Sequence, residues 1–224
     1  MSDDDDFSEP RQRMLAFIAA KTIYSCAQLG KAALGSRVMA TLAEVPRHEF
    51  VPLEMQRYAY EDTPLPIGFG KTISQPFIVA VMTDLLDLQA TDTVLEIGTG
   101  MGYQTAILAA LAQRVYSMEL IEELAEQAVR RLARRGCANV EISVANGWRG
   151  WPEHAPFDKV IVAAAPELIP PSLIYQLKRG GKMVIPAGLP DAQQLIVVTK
   201  DAEGSVSTRE IFGVAFSQLD DEVW

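Results

Sequence analysis

Three glycines stand at alternate positions, Gly98, Gly100 and Gly102, directly after the apolar run 93–97. A helical stretch follows them, so the glycine loop joins a strand to a helix, where open α/β sheets bind ligands. Glycine has no Cβ and lets the backbone approach a ligand closely. The spacing is G-x-G-x-G and not the G-x-G-x-x-G of dinucleotide sites, which favours a nucleoside without a pyrophosphate. A tight turn that binds no ligand is the alternative.

A carboxylate follows at the expected distance from this loop. Glu119 ends the next apolar run, about 20 residues on, where an acidic side chain can accept hydrogen bonds from both ribose hydroxyls. Alone, an acid at this position would more commonly belong to the first turn of a helix. Together with the glycine loop, Glu119 indicates a nucleoside site.

Short apolar runs alternate with helical stretches around these residues. The predicted strands are 93–97, 115–119, 140–144, 159–163 and 182–186, and the predicted helices between them are 103–112, 121–135 and 171–177. This βαβ repetition predicts a parallel sheet covered on both faces. Residues 194–200 and 210–216 flank a turn at Glu203-Gly204 without a helix between them, which predicts a β-hairpin that completes the sheet.

The N-terminal part is predicted to be helical and then irregular. Residues 9–29 carry side chains at helical spacing, namely Leu15, Ile18, Ala19, Thr22 and Ile23. A second helix from Ser36 is stopped by Pro46. An irregular stretch through Gly70 precedes a helix that opens at Gln75 and Pro76. The acidic run Asp3 to Asp6 predicts a disordered tail over residues 1–8.

The composition of the 224 residues limits the function classes. Hydrophobic residues make up 49% and charged residues 22%, which is ordinary for one globular domain. No run approaches the roughly 20 apolar residues of a membrane helix, and the N-terminus is acidic where a signal peptide is basic, so we expect a soluble, cytoplasmic protein without a membrane partner. A net charge of −9 opposes nucleic-acid binding. Cys26 and Cys137 lack metal-ligand spacing, and we expect no metal.

Several segments together resemble one enzyme family. Residues 94–104 look like motif I of class I methyltransferases. The segments 46–52, 60–68, 71–76 and 178–186 resemble the protein-L-isoaspartate (D-aspartate) O-methyltransferase family, in the same order and across nearly the whole chain. The most specific of these signals is Thr72-Ile-Ser-Gln-Pro76, which generic methyltransferases lack.

The resemblance implies a fold and an activity. The expected fold is α/β, a Rossmann-like, seven-stranded, mostly parallel sheet with helices on both faces, a C-terminal antiparallel hairpin and an added N-terminal helical segment. Residues 9–224 would form one methyltransferase domain, with a helical and substrate-loop segment at 9–90 and the cofactor-binding core at 91–224. The enzyme would use S-adenosyl-L-methionine, leaving S-adenosyl-L-homocysteine, to methylate the free α-carboxylate of L-isoaspartyl, and also D-aspartyl, residues in damaged proteins or peptides. The ester closes to a succinimide, and hydrolysis partly restores aspartate. Oligomeric state is not indicated.

The resemblance also assigns site residues. Ser74 would be the active-site serine, and it could instead, or in addition, cap the helix that begins at Pro76. Glu119 would bind the ribose, Asn146-Gly147 would face the adenine, and His48 would shape the peptide site. The residues expected to bind the cofactor are Thr72, Ser74, Glu96, Gly98, Thr99, Gly100, Gly102, Tyr103, Gln104, Glu119, Leu120, Asn146 and Gly147.

The implied reaction makes modest chemical demands. The acceptor carboxylate, with a reference pKa of about 3.3 to 3.9, is already ionised at neutral pH, so no general base is required. Holding the reacting atoms in line contributes up to about 7 to 11 kcal/mol. Ser74 is therefore interpreted as a hydrogen-bond donor that orients the acceptor and not as a nucleophile.

Two departures from the family pattern keep alternatives open. Asn146 replaces the usual aspartate, so a hydrogen bond from the adenine amino group would be accepted by a neutral amide and would no longer be charge-assisted. The ending 214–219 differs from the usual Arg-Phe-Val-Pro-Leu. A carboxyl methyltransferase dedicated to a particular peptide or another carboxylate, and a cofactor-binding protein with little turnover, are the alternatives. A nicotinamide-dependent oxidoreductase is disfavoured by the glycine spacing.

Overall fold

The structure is a computed structural model that describes residues 7–219. Most of the predicted acidic tail lies outside the described residues. Its last two positions are ordered, which corrects the boundary at residue 8: Ser8 begins the first helix, and the Phe7 ring stacks on His48 with centroids 4.1 Å apart.

The N-terminal segment forms four helices and a hairpin. The helices are α1 (Ser8–Tyr24), α2 (Cys26–Leu29), α3 (Ser36–Glu44) and α4 (Pro76–Leu86). Two 3-10 turns, Arg47–Phe50 and Leu53–Tyr58, and the strands β1 (Leu65–Gly68) and β2 (Lys71–Ile73) occupy the stretch predicted to be irregular. In α1 the buried stripe is Met14, Ile18 and Thr22, four residues apart. Ile23, predicted on the buried face, is 59% exposed, because the face that meets α3 and α4 is rotated from the predicted one.

The remainder is the predicted alternation of strands and helices. The strands are β3 (Thr93–Ile97), β4 (Arg114–Glu119), β5 (Val140–Val144), β6 (Phe157–Val162), β7 (Leu177–Ala187), β8 (Gln194–Lys200) and β9 (Val206–Gly213). The helices are α5 (Tyr103–Leu111), α6 (Glu122–Arg134) and α7 (Pro171–Gln176), with 3-10 turns at Gly147–Arg149 and Pro152–His154.

Seven strands form one sheet in the order β5-β4-β3-β6-β7-β8-β9. The first five in this order are parallel, and β7-β8-β9 pair antiparallel, which confirms the predicted C-terminal hairpin. A βαβ crossover returns each strand in the same direction, so the carboxyl ends of β3, β4 and β6 meet at one edge. The predicted fold class is confirmed.

Two cores lie on opposite faces of this sheet. Val94 belongs to the core shared with α1, α3, α4, α5 and α6, whereas Leu95 and Ile97 belong to the core under α7. Successive residues of a strand point to opposite faces, which places Glu96 on the same face as Val94. Within residues 7–219, no helix is long and apolar enough to cross a membrane.

Candidate active site

The glycine loop follows β3 at the centre of the sheet. Gly98 and Gly100 have φ values of +94° and +56°, in the left-handed region that side chains disfavour. A Cβ at Gly98 would lie 3.3 Å from the Cβ of Ala163, at the end of neighbouring β6. The loop therefore turns sharply against the adjacent strand and leaves open space above the strand ends.

Gly102 serves packing. Its φ is +95°, and a Cβ there would lie 3.3 Å from the Leu132 side chain of α6. It borders neither of the two cavities described below. The structure thus places Gly102, predicted to bind the cofactor, where α5 begins and packs against α6, the close-approach role of the third glycine in related loops.

Glu119 ties the glycine loop to the end of β4. Its Oε2 accepts a hydrogen bond of 2.7 Å from the backbone N–H of Gly100, and its Oε1 accepts one of 3.0 Å from Ile121. The residue is only 7% exposed. Each carboxylate oxygen can accept a further bond, so the ribose role remains chemically available and stays a prediction.

Glu96 is a buried carboxylate that forms no ion pair with any residue between 7 and 219. Its Oε2 accepts bonds of 2.6 Å from the hydroxyls of Thr105 and Ser117, while Oε1 has no hydrogen-bond partner among residues 7–219. Thr99 extends the network through its contact with Ser117, also 2.6 Å. Burial raises the pKa of Glu96 to about 7. The two hydroxyl bonds lower this pKa, and the negative charge of Glu119 raises it further.

The predicted adenine side lies after β4 and β5. Leu120 is 61% exposed and offers an apolar surface. The Oδ1 of Asn146 accepts a 2.9 Å bond from the backbone N–H of Trp148, which opens the 3-10 turn that follows. A Cβ on Gly147 would overlap Cγ2 of Ile97, so only glycine lets this turn approach β3.

Ser74 lies between the hairpin and α4 and does not cap that helix. No side-chain bond from the N-cap residue Gln75 or from Ser74 closes the helix start. The Oδ1 of Asp62 instead accepts a 2.9 Å bond from the backbone N–H of Phe77. The capping alternative for Ser74 is therefore wrong, because a residue twelve positions away supplies the cap.

Two cavities meet at Ser74. The first lies over the carboxyl ends of β3, β4 and β6, and the second lies between the hairpin region and the segments around Gln193 and Val214. They share four wall residues, Thr72, Ser74, Ala163 and Ser217. The predicted cofactor residues that line the first cavity are Thr72, Ser74, Glu96, Gly98, Thr99, Gly100, Tyr103, Gln104, Glu119, Leu120, Asn146 and Gly147.

The second cavity, about 520 Å³, is nearly neutral. Among the residues that line it within 7–219, Asp191 is the one with a charged side chain, and none is a histidine. His48, predicted to shape the peptide site, lines neither cavity; it packs against Phe7, and its Nδ1 lies 2.9 Å from the Tyr60 hydroxyl, so its role stays a prediction. A ligand in this cavity would meet hydroxyls, amides and backbone groups.

Sequence reasoning missed residues that shape both cavities. Ser217 and Gln218 reach the first cavity because residues 217–219 lie beside the sheet: the Ser217 carbonyl accepts a 2.8 Å bond from the backbone N–H of Ala165. The side chain of Gln193 holds this segment by two bonds to the backbone of Phe216. The Phe216 N–H donates to Oε1 of Gln193 at 2.6 Å, and Nε2 of Gln193 donates to the Phe216 carbonyl at 3.1 Å. No local pattern marked these contacts. Sequence reasoning also missed Arg47 and Asp62. The Arg47 side chain bonds the backbone of Ser74, and the Asp62 side chain bonds the backbone of Phe77, just after it.

Tyr103 and Gln104 join the core to the N-terminal segment. The Tyr103 ring lies under the guanidinium of Arg47, 4.9 Å from its centroid, and burial raises the pKa of Tyr103 to about 12. The Nε2 of Gln104 donates a 2.9 Å bond to Thr83 of α4. Motif I is thus fixed to α4 and to the Arg47–Phe50 turn, the two elements next to Ser74.

Comparisons with known proteins agree with this geometry. The family described as protein-L-isoaspartate(D-aspartate) O-methyltransferase matches residues 26–223. Protein-L-isoaspartate O-methyltransferase 1 of a Polaromonas species is 71% identical over 216 residues, which span 96% of this chain and 92% of the relative. Protein-L-isoaspartate O-methyltransferase 2 of Syntrophobacter fumaroxidans is 53% identical, with 96% and 88% covered.

The fold has a solved counterpart. A Plasmodium falciparum structure described as a protein-L-isoaspartate O-methyltransferase, in complex with S-adenosyl-L-homocysteine, superposes with a TM-score of 0.79 at 22% identity, covering 95% of this chain and 99% of that one. That likeness supports the fold, and the sequence matches, which span nearly the whole chain at up to 71% identity, identify the family. The chain belongs to the protein-L-isoaspartate(D-aspartate) O-methyltransferase family.

Proposed function

We propose that this chain transfers a methyl group from S-adenosyl-L-methionine to the free α-carboxylate of L-isoaspartyl residues, and of D-aspartyl residues, in proteins or peptides. The observation that carries the proposal is the position of Ser74 in the wall shared by the two cavities. A cofactor in the first cavity and an acceptor in the second would meet there.

The residues of the first cavity fit the cofactor. Glycines bring the backbone close, Leu120 presents an apolar surface, and Glu119 retains acceptor capacity for ribose hydroxyls. Glu96 borders the cavity with no cation in contact within residues 7–219, which suits a positively charged ligand. When bound, S-adenosyl-L-methionine supplies a methyl carbon made electrophilic by its sulfonium.

The acceptor needs orientation more than activation. Its carboxylate is ionised at neutral pH, and accordingly neither cavity is lined by a histidine among the described residues. The Ser74 hydroxyl would donate a hydrogen bond to one carboxylate oxygen and leave the other directed at the first cavity. Such positioning accounts for up to about 7 to 11 kcal/mol of a barrier.

We further propose that the substrates are proteins or peptides and that the enzyme acts in the cytoplasm. The net charge of −9 supports protein substrates over nucleic acid. Cys26 and Cys137 are both unpaired, which supports a reducing compartment such as the cytoplasm. After the methylated product leaves, its backbone amide nitrogen would attack the ester carbonyl and expel methanol, and hydrolysis of the resulting succinimide would partly restore aspartate.

The test is methyl transfer from labelled S-adenosyl-L-methionine to a matched pair of peptides, one with isoaspartate and one with aspartate. We expect labelling of the isoaspartyl peptide alone, and a loss of about tenfold or more in kcat/KM for Ser74→Ala. Ser36→Ala, at an exposed position in α3, is the control and should retain activity. Calorimetry should show that Ser74→Ala still binds the cofactor.

Two other outcomes would redirect the assignment. If the cofactor binds and neither peptide is labelled, the chain is a methyltransferase dedicated to another carboxylate or a binding protein with little turnover. The departures at Asn146 and at residues 214–219 are the features that would then require explanation. Equal labelling of both peptides would contradict specificity for isoaspartate.

A further inference from the structure

Ser74 depends on its neighbours for its position. Among residues 7–219 its hydroxyl makes no hydrogen bond, so no hydrogen bond of its own fixes where the oxygen lies. Its backbone, in contrast, is held from two directions. The carbonyl oxygen of Ser74 accepts a 2.6 Å bond from Nη2 of Arg47, and the residues that follow are held by Asp62.

Asp62 holds the chain immediately after Ser74 through three hydrogen bonds. Oδ1 accepts from the backbone N–H of Phe77 at 2.9 Å, and Oδ2 accepts from Nε2 of Gln75 at 2.6 Å. The same Nε2 also donates to the Asp62 backbone carbonyl at 2.9 Å. Lys21 of α1 adds an ion pair of 3.0 Å to Oδ2, and the Asp62 side chain is only 10% exposed. The carboxylate therefore links α1, the 59–64 loop and the start of α4.

Arg47 holds the carbonyl side of Ser74 and is itself fully buried. Its Nε donates to the carbonyl of Ala59 at 2.8 Å, and its planar guanidinium lies over the Tyr103 ring. Burial lowers its pKa to about 10, so it remains a cation at neutral pH. A planar fork can bond two carbonyls at a fixed angle, which a lysine ammonium cannot reproduce.

We infer that Asp62 and Arg47 are positioning residues that fix the Ser74 hydroxyl for orientation of the acceptor carboxylate. The inference rests on the proposed function. Both residues act through Ser74 and border neither cavity. A small rotation of the 74–77 backbone would move the serine oxygen out of line, and misplacement by about 1 Å can cost about 100-fold in rate.

The decisive variant is Asp62→Asn. It keeps an oxygen for the Phe77 N–H and replaces Oδ2 with an amide that cannot accept from Gln75 or Lys21. The matched control is Asp84→Asn in α4, the helix whose start Asp62 holds. Asp84 is also buried, accepts from the backbone N–H of Gly35 at 2.6 Å, pairs with Lys31 and borders neither cavity.

We expect Asp62→Asn to lower kcat on the isoaspartyl peptide by about tenfold, with the cofactor Kd from calorimetry unchanged. Asp84→Asn should lose comparable stability in urea unfolding and keep its kcat. Arg47→Lys should lower kcat in the same way. In a Ser74→Ala background, Asp62→Asn should have no further effect on kcat, since the residue it positions is gone.

The inference is overturned if Asp62→Asn retains kcat, if Asp84→Asn loses kcat equally, or if the Asp62→Asn effect persists unchanged without the serine hydroxyl. These results differ from failure of the proposed function, which would appear as no isoaspartyl labelling by the unaltered chain.

Discussion

The buried carboxylate of Glu96 predicts an unusual dependence of stability on pH. The ordinary pKa of 4.5, which applies to the unfolded chain, rises to about 7 in the folded protein. Between these values the folded protein holds a proton that the unfolded chain has lost. Stability from this group is therefore fully present below about pH 4.5 and is lost as the pH rises through about 7.

The magnitude follows from the size of the shift. A rise from 4.5 to about 7 is about 2.5 pKa units, and each unit corresponds to about 1.36 kcal/mol. The free energy of unfolding should therefore fall by about 3 kcal/mol across this range on account of Glu96 alone. Glu96→Gln has no titrating group and keeps an oxygen that can accept from Thr105 and Ser117.

The assay is urea unfolding of both proteins at about pH 5 and about pH 8.5, with the difference between them compared at each pH. Groups that titrate alike in both proteins cancel in this difference. Relative to the native chain, the Glu96→Gln variant should gain about 2.5 kcal/mol on going to the higher pH, since a part of the change is already complete at about pH 5. Thr105→Val, which removes a bond to the ionised form, should move the fall in stability to higher pH. A difference that stays constant with pH would refute the reasoning.

Three further predictions concern the cavity walls. Gly147→Ala should lower the free energy of unfolding, measured in urea, by about 1 to 3 kcal/mol, because the new methyl group overlaps Ile97. Adding Ile97→Ala should recover part of that loss, and additive costs of the two substitutions would contradict the overlap. Gln193→Ala removes both bonds to Phe216, which hold Ser217 in the wall shared by the two cavities, and should raise both the KM for the peptide and the cofactor Kd from calorimetry; unchanged values would contradict this role. Asn146→Asp should tighten cofactor binding by about 1 kcal/mol, since a carboxylate accepts more strongly than an amide, and calorimetry that finds no gain would count against an adenine contact.

The sequence predicted the features that depend on neighbouring residues. Strand alternation, the glycine loop and Glu119 at the end of β4 are local patterns, and the backbone follows them closely. The strands 93–97 and 140–144 have the predicted bounds, and the hairpin differs mainly because β9 begins at Val206, earlier than expected. Periodicity determines such elements because side-chain direction repeats every second or every 3.6 residues.

The contacts that fix Ser74 could not be predicted from local sequence patterns, because they join residues that are distant in the chain. A serine two positions before a helix-starting proline is a good local candidate for a cap, and the sequence kept that role open beside the active-site assignment. The carboxylate of Asp62 caps the helix in place of Ser74, because the tertiary fold brings residue 62 to the helix start. Arg47 was missed for a similar reason: a fully buried arginine is rare, and only its carbonyl and ring partners make the burial tolerable.

These contacts also bear on how the chain is divided. The sequence predicted one domain over 9–224, with a helical and substrate-loop segment at 9–90 and a cofactor-binding core at 91–224, and three links cross the boundary between these segments. Gln104 bonds Thr83, the Tyr103 ring packs against Arg47, and Arg37 of α3 donates to the Leu111 carbonyl at 3.2 Å. Since Ser74 belongs to the first segment and the glycine loop to the second, the shared wall exists only when both are packed together. We therefore infer that the two segments fold as one unit, because neither could form the site alone.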